Sequence, residues 1–218
     1  MPKNVLPFSQ AMVRALWSGQ KTEDRRLVTL NGEVPDFCGP SGTIDDPTSW
    51  GWLDSEHGDW ITLEKEPDDR MGWRDWIGAP QAGGRLLVQE AYGIDKNRIW
   101  YRLDHEEASG PGPRADVRWR SAAQMPSRLA RLVLEIKEVR IQRLQDITLS
   151  EICAEGLARS IYDFKPVQRG FTAYQAHWNR RHKKAWQHWG KNPWVYVLSF
   201  EAVRSKADAA FPEVRSAA

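Results

Sequence analysis

Residues 128–144, RLARLVLEIKEVRIQRL, constrain the fold more than any other stretch of the chain. Val133, Glu135, Lys137, Val139 and Ile141 share one parity, and Leu132, Leu134 and Ile136 share the other. Side chains that alternate in this way mark a strand, and the mixed parities are reconciled by a bulge within it. A strand of that length commits the chain to a sheet.

The flanking segments read in the same way. Residues 4–8, NVLPF, form a short strand, and Ser9 can cap a helix over 10–18 with Met12, Val13, Leu16 and Trp17 at helical spacing. Gly19 stands where a helix C′ glycine belongs, a charged turn follows, and residues 27–30 read as a second strand. Residues 85–93 and 98–103 are further strands, and 105–116 are a Gly/Pro-rich loop. In DITLSEICAEGL (146–157), Thr148 or Ser150 can cap a short helix with Glu151 in its first turn. Residues 171–190 read as an aromatic, basic helix ended by Asn192-Pro193, and 194–203 as a final alternating strand.

This order predicts an α+β fold, a small, mostly antiparallel closed β-barrel with flanking helices. A doubly wound sheet needs regular strand–helix alternation, which is absent. Residues 31–82 lack periodicity and read as a long loop-rich insertion. We therefore expect one domain over 1–204, with 157–190 as a second, basic and aromatic helical insertion and 205–218 as a flexible tail.

Charge separates the chain into regions. Residues 31–75 hold twelve acids against three Lys/Arg, while 159–191 hold eight Lys/Arg against one acid, Asp163. Residues 114–143 hold eight Lys/Arg against three acids. Net charge is only +2, so this asymmetry, not the total, points to a phosphate-bearing partner. Twelve tryptophans, clustered at 50–76 and 178–194, can stack on bases or fill cores. No run of about 18 apolar residues occurs, so no membrane partner is expected. The start MPKNVLPFSQ lacks a signal-peptide pattern, and Cys38 and Cys153 stand outside any C-x-x-C, so we expect free thiols and a cytoplasmic location.

Standard cofactor signatures, such as a P-loop, G-x-G-x-x-G, G-x-S-x-G or H-E-x-x-H, are missing, and no cofactor is expected. His177, His182 and His188 are five and six residues apart, which does not bring three imidazoles onto one helix face. They read as surface or phosphate-facing histidines, and no metal is expected. The stretch WSGQKTEDRRLV (17–28) holds the densest polar chemistry. Lys21, just past a helix end, can hold a phosphate as a point charge or, if desolvated, act as base or nucleophile. Its local candidate partners are Thr22, Glu23 and Asp24. Glu90 and Glu155 are distant candidates at the ends of predicted elements.

The pattern F-S-x-x-M-V-x-A-L-x-x-G-x-K-T-x-x-R-R from Phe8 to Arg26 resembles the ASCH domain, whose G-x-K-x-x-x-x-R hallmark falls on Gly19, Lys21 and Arg26. The segments GRLLVQEAYG, WRSAAQMPSRLARLVLEIKEVRIQRLQDIT, AEG and NPWVYVLSF extend the resemblance, in an order similar to phage and prophage ASCH-like proteins. It covers the chain except 31–82 and 157–190. The resemblance implies a PUA-like barrel with a cleft for RNA or a modified nucleoside. Some family members are N4-acetylcytidine amidohydrolases that use a Lys and a Thr of a K-T-x-T segment and a downstream Glu. Carried over, these are Lys21 and Glu155, with Asp24 in the position of the threonine.

Three functions follow as expectations. The first is RNA or modified-nucleoside binding, with Lys21, Arg25, Arg26 and the 114–131 arginines, Arg120 among them, on phosphates, and Trp17, Tyr92 or Trp119 on bases. Gly19, Thr22 and Glu90 complete its candidate binding residues. The second is metal-independent amide hydrolysis by a near-neutral Lys21, with Asp24 and Glu155 managing protons. The third is a structural phage-type protein with a vestigial cleft, which predicts an exposed apolar patch among the tryptophans of 50–76 and self-association.

Overall fold

The structure, a computed structural model, describes residues 4–29, 51–53, 60–62, 78–95, 98–107 and 117–204. The 205–218 tail, Cys38, most of the 31–82 insertion with its tryptophan cluster, and the greater part of the 105–116 loop lie outside the described residues.

The chain is mixed α+β and mostly antiparallel. Its main sheet runs β1 (Val5–Pro7), β5 (Arg85–Gln89), β9 (Leu132–Arg143), β10 (Trp194–Arg204) and β2 (Glu23–Leu27), in that spatial order. Among the described residues only β1 and β5 pair in parallel. β6 (Tyr92–Asp95), β7 (Arg98–Tyr101) and β8 (Trp119–Arg120) make a second sheet, and β3 (Gly51–Leu53) pairs with β4 (Trp60–Thr62) inside the insertion. Among the described residues these strands form separate sheets and do not close into the expected barrel.

The long strand carries its bulge. Ser199 faces Glu138 and Phe200 faces Ile136, so Lys137 is the extra residue. The bulge moves Val139 onto the face of Leu132, Leu134 and Ile136, and all four join one core. α1 (Gln10–Trp17) covers that face with Met12, Val13 and Leu16, and Leu103 of α2 (Arg102–Glu107) adds to it. On the opposite face Val195 and Val197 of β10 meet Ile152 of α3 (Leu149–Ala154) and Tyr174 and Trp178 of α4 (Arg169–Arg181). The sheet is thus covered by helices on both faces.

Local rules explain most boundaries. Thr148 caps α3, accepting from the Glu151 amide while the Glu151 carboxylate returns to the Thr148 amide. Gly19 ends α1 at φ +72, and Gln20 and Lys21 both donate to the Ala15 carbonyl. Several boundaries differ from expectation, and the strand expected over 85–93 is split into β5 and β6, which belong to different sheets. β2 is Glu23–Leu27, not 27–30, because its charges pair within each face: Glu23 with Arg25 and Asp24 with Arg26. The strand begun at Arg98 turns helical at Arg102, so α2 occupies the start of the expected loop. α4 stops at Arg181, where His182 turns extended and stacks on Trp178 at 4.1 Å. Two short 3-10 turns then lead to Asn192, which is left-handed at φ +46 before Pro193.

Candidate functional site

β2 is the open edge of the main sheet, and its register on β10 sets where its charges point. Asp24 faces Leu198, so Asp24 and Arg26 lie on the α1 side; Glu23 and Arg25 lie on the α3–α4 side. Lys21, just before the strand, serves both sides. Its Nζ is 2.9 Å from Asp24 Oδ1 and 2.8 Å from Glu155 Oε2, and it donates to the main-chain carbonyls of Glu23 at 2.6 Å and Glu155 at 3.1 Å. Lys21 and Asp24 are 0% exposed and Glu155 is 2%.

Glu155 is placed by the C-terminal end of α3. Gly156 follows it at φ +89, and a Cβ there would sit 2.9 Å from Ala15 Cβ and 3.2 Å from Lys21 Cβ. Only glycine lets α3 end this close to the Lys21 turn. A buried charge chain supports the carboxylate from behind. Arg25 lies 3.1 Å from Glu155, 3.2 Å from Glu23 and 3.2 Å from Glu151, and Arg140 bridges Glu23 and Glu151. The Tyr174 hydroxyl donates to Glu155 Oε1 at 3.4 Å. Burial, with Glu155 beside it, pushes that hydroxyl well above the usual phenol range, so it remains a donor.

Burial pushes the Asp24 carboxyl up, but the charges of Arg26, Lys21 and Arg181 outweigh it and hold the group well below the usual carboxylate range. Asp24 is therefore a fixed anion at neutral pH. Held so low, Asp24 is a weak base for the proton management expected of it.

Beside this cluster lies a cleft of about 500 Å³ between the start of α1, residues 121–123 and the end of α4. Phe8 lines it, with its ring 5.8 Å from Lys21 Nζ and 5.4 Å from the Arg26 guanidinium. His177, Arg180 and Arg181 form the facing wall. Arg181 reaches to 4.0 Å from Asp24, linking α4 to the far side of the edge strand. Arg26 Nη2, His177 Nε2 and His182 Nε2 are buried without a hydrogen-bond partner among the described residues. A second depression of about 580 Å³ lies beside Gly19, lined by Ser18, Cys153 and Arg159, and has no aromatic wall.

The structure therefore brings Lys21, Asp24, Glu155, Arg25 and Arg26 together, with Gly19 shaping the turn. It does not bring in the others. Thr22 is exposed, held only through its main chain by Ala154 and Phe200. Glu90 is buried in a two-pronged pair with Arg131, 2.7 and 3.0 Å, away from Lys21. Tyr92 is 1% exposed with its hydroxyl on the Gln124 carbonyl, so it offers no face to a base. Trp17 lies beneath the guanidinium groups of Arg131 and Arg204. Trp119 stacks on His105 in the small sheet, and Arg120 is exposed next to it. Sequence reasoning missed Arg140 and Glu151 as supports and Phe8 and α4 as cleft walls. The i, i+3, i+4 spacing of His177, Arg180 and Arg181 was the available signal.

Among the described residues, no three His, Cys, Asp or Glu side chains gather to hold a metal ion, no helix is long and apolar enough to cross a membrane, and Cys153 is a free thiol. Comparison with protein-family models, with curated proteins and with solved structures gives no match to this chain.

Proposed function

We propose that this chain is a cytoplasmic ASCH-type protein on a PUA-like scaffold that binds RNA or a modified nucleoside, one base entering the cleft between α1 and α4. One observation carries the reading: a cleft of about 500 Å³ sets an apolar wall, Phe8 and Met12, against a polar one, Arg180, Arg181 and His177, whose Nε2 is buried without a partner among the described residues. That volume suits one small ligand, and buried polar atoms without partners mark places where a ligand supplies them. The Phe8–Met12 wall offers an apolar surface for a base, and the unpartnered His177 Nε2 offers a hydrogen-bond partner for its edge. Lys21, Asp24 and Glu155 act here as the frame that fixes Arg26 and the Phe8 turn. The test is titration of the intact chain with a labelled single-stranded RNA and with a panel of modified nucleosides. Binding should weaken steeply with salt for RNA. The absence of any binding at low salt refutes the reading.

A second reading, amide hydrolysis of an N-acylated cytidine, is supported by Lys21 lying within 2.9 Å of Asp24 and 2.8 Å of Glu155. Against it, all three groups are buried, and the neighbouring cations hold the Asp24 carboxyl well below the usual carboxylate range. It requires acetate release from N4-acetylcytidine that is lost in Lys21→Ala. The morphogenetic reading places its apolar patch at 50–76, mostly outside the described residues.

A further inference from the structure

We infer that the last two turns of α4 form a phosphate subsite of this cleft, so that its ligand is a nucleotide unit carrying its phosphate, not a bare nucleoside. The inference rests on the reading of the cleft as a nucleobase site. His177, Arg180 and Arg181 stand at i, i+3 and i+4, so they share one helix face. Tyr174 and Trp178 anchor the adjacent face of α4 in the core, which fixes the direction of the cationic face. All three side chains line the cleft, and no acid among the described residues lines it. Phe8 and Met12 make the opposite wall, with the Ser121 residue at its rim.

The cleft is therefore two-sided, apolar on one wall and cationic on the other. A nucleoside would use the apolar wall and leave the cationic wall idle. A phosphate supplies what that wall lacks. Arg180 is exposed and makes no hydrogen bond among the described residues. Arg181 lies 4.0 Å from Asp24, beyond hydrogen-bond distance, and that carboxylate is already held by Lys21 and Arg26. The His177 Nε2 is unpartnered. The carbonyl ends of α4 repel an anion in the last turn, so backbone does not attract the phosphate here. The side chains must, and two guanidiniums are well suited to phosphate oxygens.

The shared chemistry could come from a terminal monoester or a backbone diester, and the experiment separates them. The intact chain is titrated at low salt with cytidine, uridine, their 5′-monophosphates, a 3′,5′-linked dinucleotide and inorganic phosphate. A phosphate-bearing ligand is expected to bind about tenfold tighter than its nucleoside, the scale of one charge-assisted contact. A monophosphate preference indicates a terminal phosphate, and a dinucleotide preference indicates RNA backbone. Arg180→Gln, at an exposed position without contacts to lose, should erase most of the difference between nucleotide and nucleoside, and Arg181→Gln should do the same. Equal affinity for nucleoside and nucleotide overturns this inference and leaves the base site standing. An unchanged difference in Arg180→Gln also overturns it. Failure of every ligand to bind overturns the base-site reading and this inference together.

Discussion

Gly156→Ala tests whether α3 ends against the Lys21 turn as closely as described. Two effects add. The residue sits at φ +89, where an L side chain is strained by about 1–2 kcal/mol. The new methyl would also meet Ala15 Cβ at 2.9 Å and Lys21 Cβ at 3.2 Å, an overpacking that adds about 1–3 kcal/mol. The less flexible unfolded chain returns about 0.4–1 kcal/mol. The net loss is about 1–5 kcal/mol, centred near 3. Gly19→Ala is the internal control: its φ is +72, yet nothing lies within 4 Å of its Cβ position, so only the backbone strain remains, about 1 kcal/mol after the same offset. Urea unfolding of both variants and the parent, with m unchanged, reads the difference directly. If Gly156→Ala loses no more than Gly19→Ala, α3 does not approach Lys21 as described, and the placement of Glu155 falls with it.

Further outcomes follow from the same groups. Asp24 has a folded-state value below its unfolded one, so its contribution is complete above about pH 4 and is lost as pH falls below that. Asp24→Asn should therefore show a flatter acid limb than the parent in urea melts between pH 5 and 2.5. Burial, with Arg181 nearby, lowers His182 from 6.5 to about 4, so between those values the unfolded chain takes up a proton that the folded chain refuses, and stability falls as pH drops. The His182 ring proton should titrate near pH 4 by NMR. His182→Phe keeps a ring on Trp178 and should reduce that pH slope, with His177 supplying the remainder. Thr148→Ala removes the cap and the reciprocal Glu151 contact, and should cost about 1 kcal/mol by urea melt.

Much of this architecture was legible because it obeys local rules. The β9 bulge follows from a parity conflict in the sequence, the α3 start from Thr148 and Glu151, and the α1 end from Gly19. Lys21, Asp24 and Glu155, named together from the sequence, meet in the structure. What was not legible depends on which charges meet. EDRRL looks like a solvated turn until β10 supplies the neighbours that let Glu23–Arg25 and Asp24–Arg26 pair along opposite faces. Glu90 and Tyr92 sit beside a strand end, as site residues do, but Arg131, just before β9, and the carbonyl of Gln124, in a 3-10 turn, claim them, and no local pattern announces either pairing. The length of α4 was overread because aromatic and basic residues continue past Arg181, where the backbone no longer does.

The edge position of β2 also sets a timetable. Among the described residues its only partner strand is β10, and Lys21 waits for Glu155, 134 residues further along. While the chain is leaving the ribosome, Asp24 and Arg25 remain in water without the β10 neighbours that bury them. The Lys21 cluster is thus among the last features to be completed during synthesis. A chain truncated before Trp194 should leave Asp24 and Arg25 without the neighbours that bury them, so their burial reports that β10 has docked.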